Sequence, residues 1–170
     1  MTSKATLATQ SAWIVVALSL VGQREIPGPK HNSWIAKGWA RLGAGWYNDD
    51  ETPWCGFFVA HCMDAAGLPY PRGGRFASAA AWADYGVKCE PQVGAIGVKK
   101  RPGGNHVFFI VGQTSCKRYY KALGGNQSNA VNTMDIAKSD VFAIRWPAGV
   151  PQLNIPLPIM PRGVISTNEA

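Results

Sequence analysis

Cys55 is the residue of this sequence best suited to nucleophilic chemistry. It follows Thr52 and Pro53, residue types that suit the N-cap and the first position of a helix. A helix predicted over residues 53–66 holds Cys55 in its first turn, where unpaired N–H groups and the helix dipole favour an anion. The thiolate is such an anion, and it is the nucleophilic form of cysteine. The sequence therefore predicts a reactive thiol at Cys55.

A cysteine nucleophile needs a base within hydrogen-bond reach, and His106 is the predicted base. It opens the strand predicted over residues 106–112, directly after a glycine-containing turn, so the strand end would hold the imidazole rigidly. His61 lies on the same helix as Cys55 but about 240° around it, so it points elsewhere. His31 lies in a loop rich in proline and glycine. We expect structural or solvent-exposed roles for His61 and His31.

Asn126 is the predicted third group, which would orient the imidazole of the base. It follows the strand predicted over residues 119–123. The preceding Gly124 and Gly125 let the backbone come close to its neighbours. The alternative is an ordinary turn asparagine, because asparagine is common in turns.

The composition indicates one globular domain with a substantial core. Of the 170 residues, 46% are apolar and 16% are charged, as in folded rather than disordered proteins. The net charge is +7, and the densest basic runs, at 99–101 and 117–118, do not resemble nucleic-acid motifs. The charge therefore predicts attraction to a polyanion, with nucleic acid, anionic lipid and bacterial envelope polymers all allowed.

The remaining cysteines, Cys62, Cys89 and Cys116, form neither a C-x-x-C pair nor a zinc-ligand pattern. Cys62 follows Cys55 by seven residues, which on a helix separates them by about 10 Å, too far for a disulfide. We predict that these three are small buried hydrophobic residues in a reducing compartment. We expect no bound metal and no other cofactor.

The predicted elements change character near Gly86. Helices are predicted over residues 5–21, 33–42 (capped by Asn32 or Ser33), 53–66 and 76–85, and strands over residues 95–98, 106–112, 119–123, 130–134 and 141–145. Helices followed by strands predict an α+β fold, with N-terminal helices packed on a C-terminal antiparallel sheet. The domain is predicted to span residues 1–147. Residues 148–170 are predicted to form a proline-rich extended tail that cannot complete a sheet.

The apolar run at residues 12–18 mimics the central region of a signal peptide. Its pattern continues to Val21 with apolar residues on one face, which favours an amphipathic first helix. The run is far too short to span a bilayer. We therefore expect no signal peptide.

Several blocks of the sequence together resemble a known family. They are residues 13–28, 50–59 (DETPWCGFFV), 104–107 (GNHV), 111–112, 123–132 (LGGNQSNAVN) and 145–147 (RWP). These blocks resemble the CHAP and NlpC-type cysteine peptidases, in particular the small single-domain members that phages and prophages use as endolysins. The resemblance covers residues 10–147.

The resemblance implies a papain-like α+β fold, in which a cysteine at a helix start packs against a strand-borne histidine. Cys55 corresponds to the nucleophile, His106 to the base and Asn126 to the polar third member. Many CHAP enzymes carry a glutamate two residues before that asparagine, where this chain has Gly124. The orienting role therefore falls to Asn126 alone or passes partly to Gln127.

The function implied is peptidoglycan hydrolysis through a cysteine thioester, by an N-acetylmuramoyl-L-alanine amidase or a stem-peptide endopeptidase. Trp54 and Gln127, the neighbours of Cys55 and Asn126, are predicted to contact the substrate. Bacterial peptidoglycan is the expected partner of a monomer that binds no nucleic acid and does not insert stably into membranes. Synthesis in a host cytoplasm and action in the periplasm or cell wall are expected, with holin-type release.

Two alternatives on the same fold remain open. One is a thiol acyltransferase, and the other is a non-catalytic virion or cell-wall-binding protein. The intact pair of Cys55 and His106 argues against the second alternative, because a protein that only binds needs neither residue.

Overall fold

Helices occupy the first half of the chain and strands the second half, which confirms the predicted α+β class. The structure is a computed structural model and describes residues 11–161. The α-helices are α1 (Ala12–Ser19), α2 (Ser33–Arg41) and α3 (Cys55–Ala65). The first residues of the helix predicted over 5–21 lie outside the described residues. No helix within residues 11–161 is long and apolar enough to cross a membrane.

Helix α2 begins where the sequence predicted, because Asn32 caps it. The Asn32 Oδ1 accepts hydrogen bonds from the N–H groups of Trp34 at 2.9 Å and Ile35 at 3.3 Å. These bonds satisfy two of the N–H groups that a helix start leaves unpaired. The α-helix predicted over residues 76–85 is wrong, because this stretch forms two 3₁₀ helices, Arg75–Ala77 and Ala79–Asp84.

Six antiparallel strands form one sheet in the order β1-β6-β2-β3-β4-β5. The strands are β1 (Val87–Lys88), β2 (Ile96–Arg101), β3 (Gly104–Gln113), β4 (Tyr119–Gln127), β5 (Ala130–Ala137) and β6 (Val141–Trp146). The five predicted strands are all present, and β1 is an addition. Strands β2 and β3 form a hairpin in which Lys99 pairs with His106. This register places His106 near the tip of the hairpin.

Helix α3 packs on the middle of the sheet, and its side chains from Cys55 to Ala60 are all buried. The rings of Phe58 on α3 and Phe109 on β3 meet edge to face with centroids 5.9 Å apart. A Cβ at Gly125 on β4 would lie 2.5 Å from the Cβ of Phe58. A side chain at Gly125 would therefore push β4 away from α3, and glycine permits the close approach.

Over residues 148–161 the proline-rich tail forms neither a helix nor a regular strand, but it is tied to the sheet. Gln113 at the end of β3 donates through its N–H to Pro158 O at 3.0 Å and accepts from Met160 N–H at 2.9 Å. The Lys121 ammonium, paired with buried Asp135, also donates to Pro161 O. The prediction that this tail cannot pair with the sheet is therefore wrong at Gln113, where it forms a parallel bridge.

Candidate active site

Cys55 is the first residue of α3, because the helix begins two residues later than predicted. Trp54 is the N-cap, and its side chain makes no capping hydrogen bond. Thr52 is not the cap, because its N–H and hydroxyl both donate to the carboxylate of Asp49, at 2.6 and 3.2 Å. The turn before the helix is therefore held by Asp49. Cys55 keeps the predicted place in the first turn, among N–H groups that lack helical acceptors.

Gly56 is required beside the thiol because another segment touches it there. A Cβ at Gly56 would lie 2.0 Å from the carbonyl oxygen of Phe76, in the 3₁₀ helix Arg75–Ala77. Any larger residue would displace that turn from the start of α3. The turn at residues 75–77 is therefore part of the immediate surroundings of Cys55.

The Cys55 thiol is 3% exposed and lies beside the first residues of β3. Burial raises the pKa of the Cys55 thiol, and this effect outweighs the opposing contacts. Those contacts are hydrogen bonds from the backbone N–H of Val107, Gly56 and Cys55 itself, and the positive charge of Arg101. The expectation of a helix-stabilised thiolate is therefore wrong for the resting protein, because desolvation favours the neutral thiol.

His106 is fully buried and adjoins the residue whose N–H contacts the thiol. Its Nε2 lies 3.0 Å from Oε1 of Gln127, and its ring stacks on Phe108 with centroids 5.8 Å apart. A carboxamide oxygen only accepts hydrogen bonds, so Nε2 carries the proton of the neutral ring. Nδ1 is then the nitrogen able to take a proton, as a general base must.

The amide of Gln127 has only one orientation that satisfies its neighbours. Its Nε2 donates to Ala122 O at 3.2 Å, Asn132 O at 2.8 Å and Asn132 Oδ1 at 3.0 Å. These atoms are all acceptors, so the NH₂ group must face them and Oε1 must face His106. Asn132 also donates through Nδ2 to Gln127 O at 2.8 Å. Strands β4 and β5 thus fix the imidazole tautomer through Gln127.

Asn126 does not make the hydrogen bond predicted for it. Its side chain is fully buried, and neither of its amide atoms has a hydrogen-bond partner among residues 11–161. The backbone of Asn126 is left-handed, with φ of 58°, within a bulge between Gly124 and Gln127. The bulge changes which side chain meets His106. The geometric role assigned to Asn126 is therefore taken by Gln127.

Position 124 has little room for a side chain, so the glutamate that the resemblance would place there does not fit this structure. A Cβ at Gly124 would lie 2.5 Å from the Gln127 Oε1 and 3.2 Å from the Phe108 Cβ. The Gln127 amide thus occupies the space that a side chain at position 124 would need. Asn132 was not singled out from the sequence, although asparagine is uncommon inside strands and this was an available signal.

Trp54 and Gln127, the predicted substrate contacts, are both fully buried and bonded within the protein. The Trp54 Nε1–H donates to Glu25 Oε1 at 2.9 Å, and the Trp54 ring meets Trp34 edge to face. Both side chains therefore hold protein elements together in this structure. The prediction that they contact a substrate is therefore wrong for this structure, in which both side chains position other residues.

His31 and His61 lie away from the pair and have structural roles, as predicted. His31 Nδ1 is 2.9 Å from Oδ1 of the buried Asp50, and this contact is the largest cause that raises the pKa of His31. His61 Nδ1 contacts the guanidinium of Arg41 at 2.8 Å. Burial first, and then the Arg41 charge, lowers the pKa of His61 to about 4. His61 is thus neutral and links α3 to α2.

The other cysteines differ from one another. Cys62 is buried, as predicted, and Cys89 is half-buried, but Cys116 is exposed, so the prediction of a buried Cys116 is wrong. Within residues 11–161 no three His, Cys, Asp or Glu side chains cluster as metal ligands.

The candidate site thus consists of a thiol at a helix start that contacts the N–H of Val107, the imidazole of the adjacent residue His106, and a carboxamide that orients the imidazole. Such a set can transfer a proton from the thiol and attack a carbonyl carbon. Comparisons with protein-family models, with curated proteins and with solved structures found no match for this chain.

Proposed function

We propose that the protein is a cysteine amidohydrolase that cleaves amide bonds in bacterial peptidoglycan. The hydrogen bond between His106 and Gln127, one residue from the Val107 N–H that contacts the Cys55 thiol, is the observation that carries this proposal. It fixes the imidazole in the tautomer that a cysteine hydrolase needs. The proposed relationship is to the CHAP and NlpC-type enzymes, with a papain-like arrangement of helix and sheet. Peptidoglycan as the substrate rests on the sequence resemblance.

The first step is acylation of the thiol. Nδ1 of His106 takes the proton of Cys55 as the sulfur attacks the scissile carbonyl carbon. Because burial raises the pKa of the Cys55 thiol, the proton leaves during the attack rather than before it. Gln127 Oε1 accepts from the Nε2–H and so stabilises the positive charge that forms on the ring.

The developing oxyanion needs donors that are already aimed at it. The N–H groups of Cys55 and Gly56 lie at the start of α3, close enough to the sulfur to lower the pKa of the thiol. They are suited to this role because the first N–H groups of a helix have no helical acceptor. Protonated His106 then gives its proton to the leaving amine, and the thioester remains on Cys55.

Hydrolysis of the thioester completes the reaction. Neutral His106 removes a proton from water, the hydroxide attacks the thioester carbon, and the proton returns to the sulfur as the acid leaves. The +7 charge of the chain would draw the enzyme to an anionic envelope, so salt should lower its rate on whole walls. We propose synthesis in a host cytoplasm and action on the wall after holin-type release.

The test uses purified sacculi incubated with the wild-type protein and with His106→Ala, followed by product analysis. New amino groups without new reducing sugar ends are expected from the wild type only. New termini at L-alanine would identify an amidase, and termini within the stem peptide an endopeptidase. Intact sacculi after incubation with folded wild-type protein would overturn the proposal and favour a binding protein. Products joined to an added amine instead of water would identify an acyltransferase.

A further inference from the structure

Trp46 is a large aromatic residue that the catalytic arrangement does not use. Its side chain is 64% exposed, more than any other large hydrophobic residue among residues 11–161. The tryptophans at positions 13, 39, 54, 82 and 146 are all 3% exposed or less. An indole left in water next to so many buried ones calls for a specific explanation.

One face of the Trp46 ring packs on the backbone of Gly74. A Cβ at Gly74 would lie 2.2 Å from Cζ2 and 2.4 Å from Cη2 of the Trp46 ring. Only glycine leaves room for the indole there, and the φ of 79° at Gly74 also favours glycine. The ring therefore rests on backbone while most of its surface stays open to solvent.

A row of aromatic rings connects Trp46 to the catalytic helix. The Trp46 and Tyr47 centroids are 5.9 Å apart, and those of Tyr47 and Trp39 are 4.9 Å apart. Trp39 is fully buried and contacts Phe57 of α3 with centroids 5.1 Å apart. Tight ring packing restricts movement, so the exposed indole has a defined position relative to the nucleophile.

The contacts of Gly74 and Gly56 limit the distance between Trp46 and Cys55. Gly74, which supports the ring, is two residues from Phe76, whose carbonyl oxygen packs against Gly56. Two residues span at most about 7 Å, which puts the indole on the order of 10–15 Å from Cys55. Two linked sugar rings can bridge a distance of that size.

We propose that Trp46 is a stacking platform for a sugar ring of the glycan strand, next to the scissile amide bond. This inference rests on the proposed function and names the part of the substrate that the site holds. A pyranose presents a flat face of C–H groups that packs on an indole, while its hydroxyl groups stay in water. A protein partner would need a contiguous apolar patch, whereas Trp46 is flanked by Gly45 and rests on Gly74.

The test measures binding to the Cys55→Ala protein, which cannot cleave the ligand. The probes are peptide-free glycan strands and the free stem peptide, each titrated by calorimetry. Adding Trp46→Ala should weaken glycan binding by about 10-fold or more, by analogy with other aromatic stacking sites. Binding of the stem peptide should stay the same. Trp46→Leu keeps an apolar contact on Gly74 without an aromatic face, and it should show the same loss.

Phe142→Ala is the matched control, because Phe142 is an exposed aromatic residue on β6, 48% exposed. It should change neither binding constant. Equal glycan affinity with and without the Trp46 substitutions, or no glycan binding by the parent protein, would overturn the platform. If wild-type protein still cleaves sacculi in that case, the proposed function stands without it. If folded wild-type protein cleaves no sacculi, the proposed function fails instead.

Discussion

Two contrasting thiols lie near the two ends of strand β3, although neither belongs to the strand. At its start, Cys55 lies against Val107, and burial raises the pKa of its thiol. Beyond its last residue, the turn into β4 exposes Cys116. A hydrogen bond from Thr114, with the N–H and the positive charge of Arg118, lowers the pKa of Cys116 to about 7. One thiol is buried and neutral, and the other is exposed and partly ionised at neutral pH.

The contrast separates general reactivity from catalytic competence. The partners of Cys116 are a hydroxyl group and a permanently protonated guanidinium, and neither can accept its proton at neutral pH. Cys55 is the weaker acid, but it contacts the N–H of Val107, the neighbour of His106, whose tautomer is set by Gln127. An oriented imidazole on the neighbouring strand, rather than the acidity of the free thiol, therefore distinguishes the candidate nucleophile.

The largest expected effect on the cleavage rate comes from replacing each of these two cysteines by serine. Cys55→Ser should lower the rate of sacculus cleavage by at least ~10⁴-fold, because members of one catalytic unit are each essential. Cys116→Ser should leave the rate unchanged, because Cys116 lies at the far end of β3. Initial cleavage rates of the two variants, with their melting temperatures, check this. A folded Cys116→Ser protein without activity would reverse the comparison.

Alkylation should be faster at Cys116 than at Cys55, although Cys55 is the thiol expected to matter for cleavage. At pH 7 Cys116 is roughly half thiolate because its pKa is about 7, whereas burial raises the pKa of Cys55 and keeps its thiol protonated. Iodoacetamide should therefore modify Cys116 much faster than Cys55. The Cys116 rate should rise with pH, with a midpoint at about 7, because deprotonation produces the reactive form. The Cys55 rate should rise only at higher pH.

Peptide mass spectrometry of briefly labelled protein gives both rates, and buried Cys62 serves as the control that stays unmodified. Faster labelling of Cys55 at pH 7 would indicate a preformed thiolate. The contrast between a neutral Cys55 and a partly ionised Cys116 would then be wrong. Inhibition by an alkylating reagent alone cannot identify the nucleophile, because Cys116 reacts as well.

A smaller effect is expected from the group that orients the imidazole. Gln127→Ala should slow cleavage by ~10–50-fold, as removal of comparable orienting partners does. Asn126→Ala should cost less, because its amide has no hydrogen-bond partner among the described residues. Combining Gln127→Ala with His106→Ala should add nothing to His106→Ala alone. Single-turnover rates on a soluble muropeptide measure all four proteins. A larger loss in Asn126→Ala would return the orienting role to Asn126.

The smallest effect should come from Arg101, whose positive charge lowers the pKa of Cys55 against the larger effect of burial. Arg101→Gln should raise that pKa further and lower the cleavage rate at pH 7 by about 2–5-fold, as expected for a partly screened charge. Lys100→Gln is the control, because Lys100 is the neighbouring exposed cation. Equal pH profiles for Arg101→Gln and the wild type would show that this charge does not reach the thiol.

Most of the helices and strands could be predicted, because glycine, proline and apolar runs mark their limits. Asn32 capped α2 as expected, since a cap depends on residues within one turn. Features that depend on tertiary contacts could not be predicted. The Asp49 carboxylate takes the Thr52 hydroxyl, so the start of α3 moves to Cys55. A bulge at Asn126 selects Gln127 as the partner of His106.

The acidity of the thiols also could not be read from the sequence. Local pattern placed Cys55 in a first helical turn, where the dipole favours an anion. Burial against the sheet has the larger effect, and burial is a property of the whole fold. For the same reason, nothing in the spacing of the cysteines distinguished exposed Cys116 from buried Cys62.

The close contact between Gly124 and Gln127 has an evolutionary consequence. A glutamate at 124 and a glutamine at 127 would compete for one space, because even a Cβ at 124 lies 2.5 Å from the Gln127 Oε1. Changing from Gly124 with Gln127 to a glutamate at 124 takes two substitutions. The protein with only one of them has either a steric clash or no group to orient His106. Lineages should consequently change both positions together, and a sequence that carries Glu at 124 should carry a smaller residue at 127.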